Sequence, residues 1–218
     1  MSGLEKVKKE IQETEIALGI KPGKTMLIAV SKTKPMDQIR KVINKGQVHF
    51  GENRVQEGIE KWKNVKKDTD ELKLHLLGPL QTNKVKKVFG LFDYIHSLDR
   101  ISLAEKLSQE AIEKGYCPKL FVQVNTGKED QKSGVYPDSL KEFIRLSRKT
   151  YNLDVIGLMC IPPINEEPGY HFELLRNLAD DNGLEELSMG MSADFKTAIK
   201  YGSTFIRVGT AIFGERNK

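Results

Sequence analysis

The chain has 218 residues, of which 39% are hydrophobic and 30% charged, and its net charge is +5. That balance suits a globular domain with a sizeable core, and no apolar run approaches the length of a membrane span. Two cysteines, Cys117 and Cys160, and four scattered histidines, His49, His75, His96 and His171, form neither a disulfide framework nor a metal-ligand spacing.

The first residues, "MSGLEKVKKEIQETEIALG", predict an amphipathic helix with Leu4, Val7, Ile11, Ile16 and Leu18 on one side. They lack the uncharged apolar centre of a signal peptide, so the cytoplasm is the expected location. Short β-branched runs then alternate with longer amphipathic ones. A strand over 26–31 precedes a helix over 36–45, which Pro35 opens and Gly46 ends. Strand 47–51 and helix 53–66 follow, then strand 74–78 and helix 80–89, strand 93–97 and helix 100–115. The second half continues with strand 119–125, helix 137–149, strand 153–159, helix 167–182, strand 184–190, helix 193–201 and strand 203–209.

Strands alternating with helices indicate parallel βαβ units of an α/β fold. A doubly wound sheet is one arrangement, but eight strand candidates favour a closed (β/α)8 TIM-type barrel with an extra N-terminal helix. No linker or composition break interrupts the chain, so residues 1–218 are expected to form a single domain. Lysines and glutamates are interspersed along the helices, as in "EKVKKEIQE". This is a solvated surface of both signs, and no basic run with interleaved aromatics points to specific nucleic-acid binding.

In such a barrel, function gathers where the strands end. Residues there include Lys32 and Lys34, Glu52 and Asn53, Gly78, Ser97 and Asp99, Asn125, Met159, Gly190 to Ser192, and Gly209 with Thr210. Strand-to-helix turns use such residues for backbone reasons too, so the pattern alone decides little. Two segments say more. In "SMGMSADFKTAI" (188–199), Gly190 and Ser192 come just before a helix, where backbone N–H groups favour an anion; a simple helix cap is the competing reading for Ser192. In "FIRVGTAIFGER" (205–216), Gly209 permits close approach and Thr210 supplies a hydroxyl. These follow the seventh and eighth strands, the recurrent phosphate position of this fold. Arg207 lies within the last apolar strand, so it needs either a carboxylate such as Glu52 or a ligand. A lysine beside barrel walls loses charge by desolvation, and a neutral amine forms a Schiff base with an aldehyde. Lysine, phosphate cup and arginine together point to pyridoxal 5'-phosphate, PLP.

The chain resembles the pyridoxal phosphate homeostasis protein family, whose members look like the N-terminal barrel of alanine racemase. The resemblance rests on "AVSKTKP" (29–35), "HFGENRVQE" (49–57), "HLLGPLQTNKVK" (75–86), "IHSLDR" (95–100), "VQVNTGKEDQKSGV" (122–135), "GLMCIPP" (157–163), "LSMGMSADFKTAI" (187–199) and "GSTFIRVGTAIFGER" (202–216). Leu74, where an aromatic is usual, and a short loop after "CIPP" are mild departures.

The resemblance implies that Lys32 carries PLP as a covalent aldimine. It implies that Ser192, Gly209 and Thr210, with the backbone at Met191, hold the phosphate, and that Arg207 faces the pyridine nitrogen. Asn53 is expected near the cofactor, Lys34 as a neighbouring cation, and His75 either lining the site or packing within the strands. The implied role is carrier or regulator in PLP homeostasis, with PLP-dependent apo-enzymes as possible recipients, a monomeric state and no strong catalysis. A PLP-dependent amino-acid racemase is the alternative. Two-base racemisation needs an acid/base on each face of the α-carbon, and in alanine racemase the second is a tyrosine from a C-terminal domain of the partner subunit. The tyrosines here match no motif carrying that role. A phosphate-binding barrel enzyme without PLP is a third reading, which the run around Lys32 disfavours.

Overall fold

A computed structural model describes residues 1–69 and 71–215, apart from the side chain of Asp68. Within it, β1 (Met26–Val30), β2 (His49–Glu52), β3 (Lys73–Leu76), β4 (Tyr94–Leu98), β5 (Lys119–Gln123), β6 (Val155–Met159), β7 (Glu186–Ser188) and β8 (Phe205–Val208) pair in chain order. Every pairing is parallel, and β8 closes on β1 through Met26 to Ala29. The expected TIM-type barrel is therefore observed. Helices α2 (Met36–Ile43), α3 (Val55–Trp62), α4 (Val85–Val88), α5 (Ile101–Lys114), α6 (Leu140–Arg145), α7 (Pro168–Asp181), α8 (Phe195–Lys200) and α9 (Thr210–Phe213) follow the strands in turn.

Side-chain alternation sorts the strand residues into two layers. Ile28, Leu77, Phe121, Met159 and Phe205 pack together as one cluster inside the barrel. Leu27, Ala29, Phe50, Ile206 and Val208 join the larger cluster between barrel and helices.

The N-terminal helix α1 (Gly3–Ala17) opens on a reciprocal capping box between Ser2 and Glu5. Leu4, Val7 and Ile11 are buried as expected, but Ile16 and Leu18 are exposed at 59% and 41%. Ile16 lies about two-fifths of a turn off that stripe, and Leu18 falls beyond the helix end at Ala17. Glu15 takes the buried place instead. Its carboxylate accepts the N–H groups of Gly23 at 2.8 Å and Thr25 at 2.7 Å, fastening the loop that leads into β1. Helix α1 packs on α8 and α9, with Lys196 2.9 Å from Glu10. Gly3 is pressed on α9: a Cβ there would lie 2.4 Å from the Ala211 carbonyl oxygen. Because α9 is a single turn, α1 supplies the cover that a full helix after β8 would give.

Three expected helices are shorter or less regular. The one over 53–66 ends at Trp62, and that over 80–89 is a 3-10 turn (Thr82–Lys84) followed by α4. There Phe89 turns extended, and Gly90 follows at φ 79°. The segment 137–149 divides into a 3-10 turn, α6 and a π-helical turn over Leu146–Thr150. No helix among the described residues is long and apolar enough to cross a membrane.

Candidate functional site

Parallel pairing gathers the carboxyl ends of all the strands at one mouth, which is where the candidate residues lie. Ile28 and Val30 both belong to the interior layer. Continuing their alternation brings half-buried Lys32 to the inner side as the first turn begins. Asn53 follows β2 directly. Gly78, after β3, lies against it so closely that a Cβ would stand 2.1 Å from the Asn53 carbonyl oxygen. Only glycine fits that approach. Lys34 is engaged at the end of α9. Its Nζ donates to the carbonyls of Phe213, Gly214 and Glu215 at 3.3, 3.0 and 2.8 Å, closing the end of α9 and tying the loop after β1 to the loop after β8.

The turn after β7 depends on Gly190, at φ 91°. Helix α8 begins only at Phe195, so Ser192 is not its cap. Asp194 instead turns its carboxylate back onto the Met191 N–H at 2.5 Å. Of the groups expected around a phosphate, the Met191 amide is therefore already engaged. The Arg207 N–H donates to the Gly190 carbonyl at 2.9 Å and so joins this turn to β8. The N–H groups of Ser192, Ala193, Thr210 and Ala211 have no acceptor among the described residues. These two turns present backbone donors and two hydroxyls, the requirements of an anion cup.

Arg207 is 5% exposed and points into the barrel from β8. It does not pair with Glu52, which lies on the opposite side of the wall and serves Ser31, Lys61 and Trp62. Its Nη1 donates to the Ser188 hydroxyl at 2.8 Å and its Nη2 to the Cys160 carbonyl at 2.9 Å. No carboxylate among the described residues forms an ion pair with it. Burial pulls the guanidinium below its usual range, while the same burial, partly offset by the guanidinium, pushes the Cys160 thiol up to about 12.

Behind Ser188 runs a polar chain that the sequence did not disclose. Ser188 Oγ is 2.8 Å from His96 Nδ1, His96 Nε2 is 2.9 Å from His75 Nδ1, and His75 Nε2 is 2.9 Å from His49 Nδ1. The rings are wedged between aromatics: His75 stacks on Tyr94 and His96 on Phe121, each at 4.3 Å. Burial, then neighbouring positive charge, holds His75 and His96 well below the ordinary histidine value. His75 thus packs within the strands rather than standing at the mouth. His75 and His96 occupy inward strand positions, a signal alternation carries, but Ser188 is an ordinary serine until the barrel closes.

Asn125 is spent on its own loop, bonding Glu129 and Lys132. A cleft of about 440 Å³ between Lys66, Asp93, Tyr94 and Lys119 lies at the amino ends of the strands and includes none of the mouth residues.

A closed barrel of eight parallel strands with its candidate residues at one mouth defines an α/β barrel of the TIM type. The family model described as alanine racemase, N-terminal domain, matches residues 6–217. A similar relative is the pyridoxal phosphate homeostasis protein of Aquifex aeolicus, 43% identical over 87% of this chain and 86% of that protein. PipY of Synechococcus elongatus PCC7942, solved with PLP bound, is 40% identical with a TM-score of 0.79, covering 94% of this chain and 100% of that one. Alanine racemase of Clostridium difficile 630 shares the fold at 16% identity and a TM-score of 0.70, over 97% of this chain and 57% of the racemase. The chain belongs to the alanine racemase N-terminal domain family and, within it, to the pyridoxal phosphate homeostasis proteins.

Proposed function

We propose that this chain binds pyridoxal 5'-phosphate as a Schiff base on Lys32 and acts in PLP homeostasis as a holder and donor of the cofactor. The observation that carries this reading is the buried Arg207 guanidinium, which has neutral acceptors but no carboxylate in ion-pair contact among the described residues. A buried cation is costly without a counter-group, and a ring nitrogen acceptor at the barrel mouth supplies one. The donors of the turns at Ser192 and Thr210, with Gly209 between β8 and α9, suit the phosphate. Asn53 is placed beside the ring, and Met191 contributes its backbone once its amide leaves Asp194.

Lys32 would hold the cofactor through its side-chain amine, which would condense with the aldehyde that PLP would supply and release water. When bound, PLP supplies an electron sink. Arg207 would weaken that sink, because a guanidinium would donate a hydrogen bond to the ring nitrogen without giving up its proton. This favours holding over turnover, and the names of the relatives as homeostasis proteins agree with it. In this reading residues 1–218 act as one monomeric domain in the cytoplasm and pass the cofactor to PLP-dependent apo-enzymes.

The test is a PLP titration followed by absorbance, with borohydride reduction and peptide mapping. Lys32 is expected to carry the reduced adduct, and turnover across D- and L-amino acids to be negligible. An undiminished adduct spectrum in Lys32→Ala would remove the assignment. Racemisation at ordinary enzymatic rates would replace the holder reading with the racemase one.

A further inference from the structure

The backbone on both sides of Lys32 is gripped by charged side chains from β2 and α3. Ser31, just before it, is fully buried. Its hydroxyl donates to Glu52 Oε1 at 2.7 Å, and its carbonyl accepts from Lys61 Nζ at 2.8 Å. Thr33, just after it, sits in the left-handed region at φ 62°, and its N–H donates to Glu57 Oε1 at 2.5 Å. Lys61 links the two carboxylates, 2.6 Å from Glu57 Oε1 and 3.3 Å from Glu52 Oε1. Trp62 Nε1 fixes Glu52 Oε1 from the other side at 3.0 Å.

This arrangement is expensive. Glu52 is wholly buried, its second oxygen has no hydrogen-bond partner among the described residues, and burial pushes its pKa up against the donors that lower it. A buried ion pair of this kind is seldom more stable than an apolar substitute, and a left-handed threonine is strained. The buried pair bonds to Ser31 and the strained residue is Thr33, so both features flank Lys32. These contacts hold the neighbours of Lys32 on the layer of Leu27 and Ala29, and strand alternation assigns Lys32 to the opposite one.

We propose that Glu52, Glu57 and Lys61 are positioning residues for Lys32, a clamp that fixes the backbone at residues 31 and 33 so that the amine meets an aldehyde at the barrel mouth. The inference rests on Lys32 being the imine-forming lysine. It concerns a different step from ligand capture: the phosphate cup and Arg207 hold the ring, and the clamp governs the covalent bond.

Two ligands separate these steps. PLP forms the imine, whereas pyridoxine 5'-phosphate, an alcohol with the same ring and phosphate, only docks. Glu57 and Lys61 are the members to vary, being partly exposed at 22% and 15%, so that the fold tolerates the change. In Glu57→Gln and Lys61→Met, imine formation with PLP is expected to slow by about tenfold to a hundredfold, the penalty of a small misplacement. Affinity for pyridoxine 5'-phosphate is expected to stay within about twofold, and Lys61→Arg to recover much of the PLP rate, since these changes leave the docking groups in place. Imine formation at the wild-type rate in both variants would overturn the clamp, as would parallel loss of both ligands. Absence of any Lys32 adduct in the wild-type protein would instead overturn the PLP reading itself, and the clamp with it.

Discussion

Arg207 donates to the Ser188 hydroxyl at 2.8 Å, and this one contact fixes the direction of every hydrogen bond behind it. A guanidinium only donates, so Ser188 accepts there and its own hydrogen is left for His96 Nδ1. His96 then carries its proton on Nε2 and donates to His75, which in the same way donates to His49. The barrel core is thus a polarised chain whose far end is the candidate ligand-facing cation. Its tautomers are a first prediction: nitrogen NMR shifts of His49, His75 and His96 should each report Nε2–H. An Nδ1–H signal from His96 would reverse the chain.

Removing the pivot should be costly. Ser188→Ala leaves an Arg207 N–H and the His96 Nδ1 acceptor without partners in a fully buried setting. A loss of about 1–3 kcal/mol in denaturant unfolding is expected. PLP retention should fall with it, since the guanidinium loses one of its two anchors. Unchanged stability and retention would show that Cys160 alone suffices to hold Arg207.

The same chain sets a pH dependence. His75 and His96 have folded pKa values well below 6.5, chiefly through burial. Below 6.5 the unfolded chain binds protons that the folded one refuses, so unfolding becomes easier as pH falls. Each histidine contributes up to about 1.4 kcal/mol per pH unit in that window. Unfolding midpoints measured from pH 7.5 to 5.5 should fall, well before ordinary carboxylates titrate. A flat profile over that interval would mean that protonated histidines are accommodated inside the barrel.

The barrel was legible because its signals are local. Apolar β-branched runs such as Leu27 to Val30, separated by amphipathic helices, are written in consecutive residues. Lys32, Gly190 and Gly209 could be named as candidates because strand ends can be located in the sequence and function gathers there. Partnerships across the barrel were not legible. A carboxylate such as Glu52 was one of the two partners open to Arg207 from the sequence, but Phe50 and Glu52 face the helices while Arg207 faces the interior. Only the register around the closed sheet shows that these two side chains occupy different layers. Ile16 failed for a related reason: a helix face is set by what packs on it, and Glu15 gained two backbone donors that an apolar side chain cannot accept.

The sequence placed Lys34 as a cation near the mouth, and its three carbonyl contacts tie it to the end of α9. Lys34→Met should therefore loosen the end of α9 and the turn at Thr210, with little effect on charge at the mouth. A stability loss of about 0.5–1 kcal/mol is expected, in line with a lost helix C-terminal interaction. Hydrogen exchange at Phe213 and Gly214 should accelerate. If exchange there is unaltered while PLP affinity drops, Lys34 acts on the ligand directly and the capping role is wrong.

Gly190→Ala tests the cup from the other side. The glycine sits at φ 91°, where an L side chain is strained, and a Cβ would meet the Ala198 Cβ at 2.5 Å and the Phe195 Cα at 3.0 Å. Neither atom can swing away, because both belong to buried residues of α8. Relief requires the turn 190–194 to move outward, which carries Ser192 away from Thr210 and strains the bond from Arg207 N–H to the Gly190 carbonyl. A loss of about 1–3 kcal/mol is expected from the backbone strain and overpacking. Affinity for inorganic phosphate and for PLP should fall together, because the cup and not the lysine is displaced. If phosphate affinity survives while the protein is destabilised, the anion is held by the turn at Thr210 alone, and Ser192 drops out of the site.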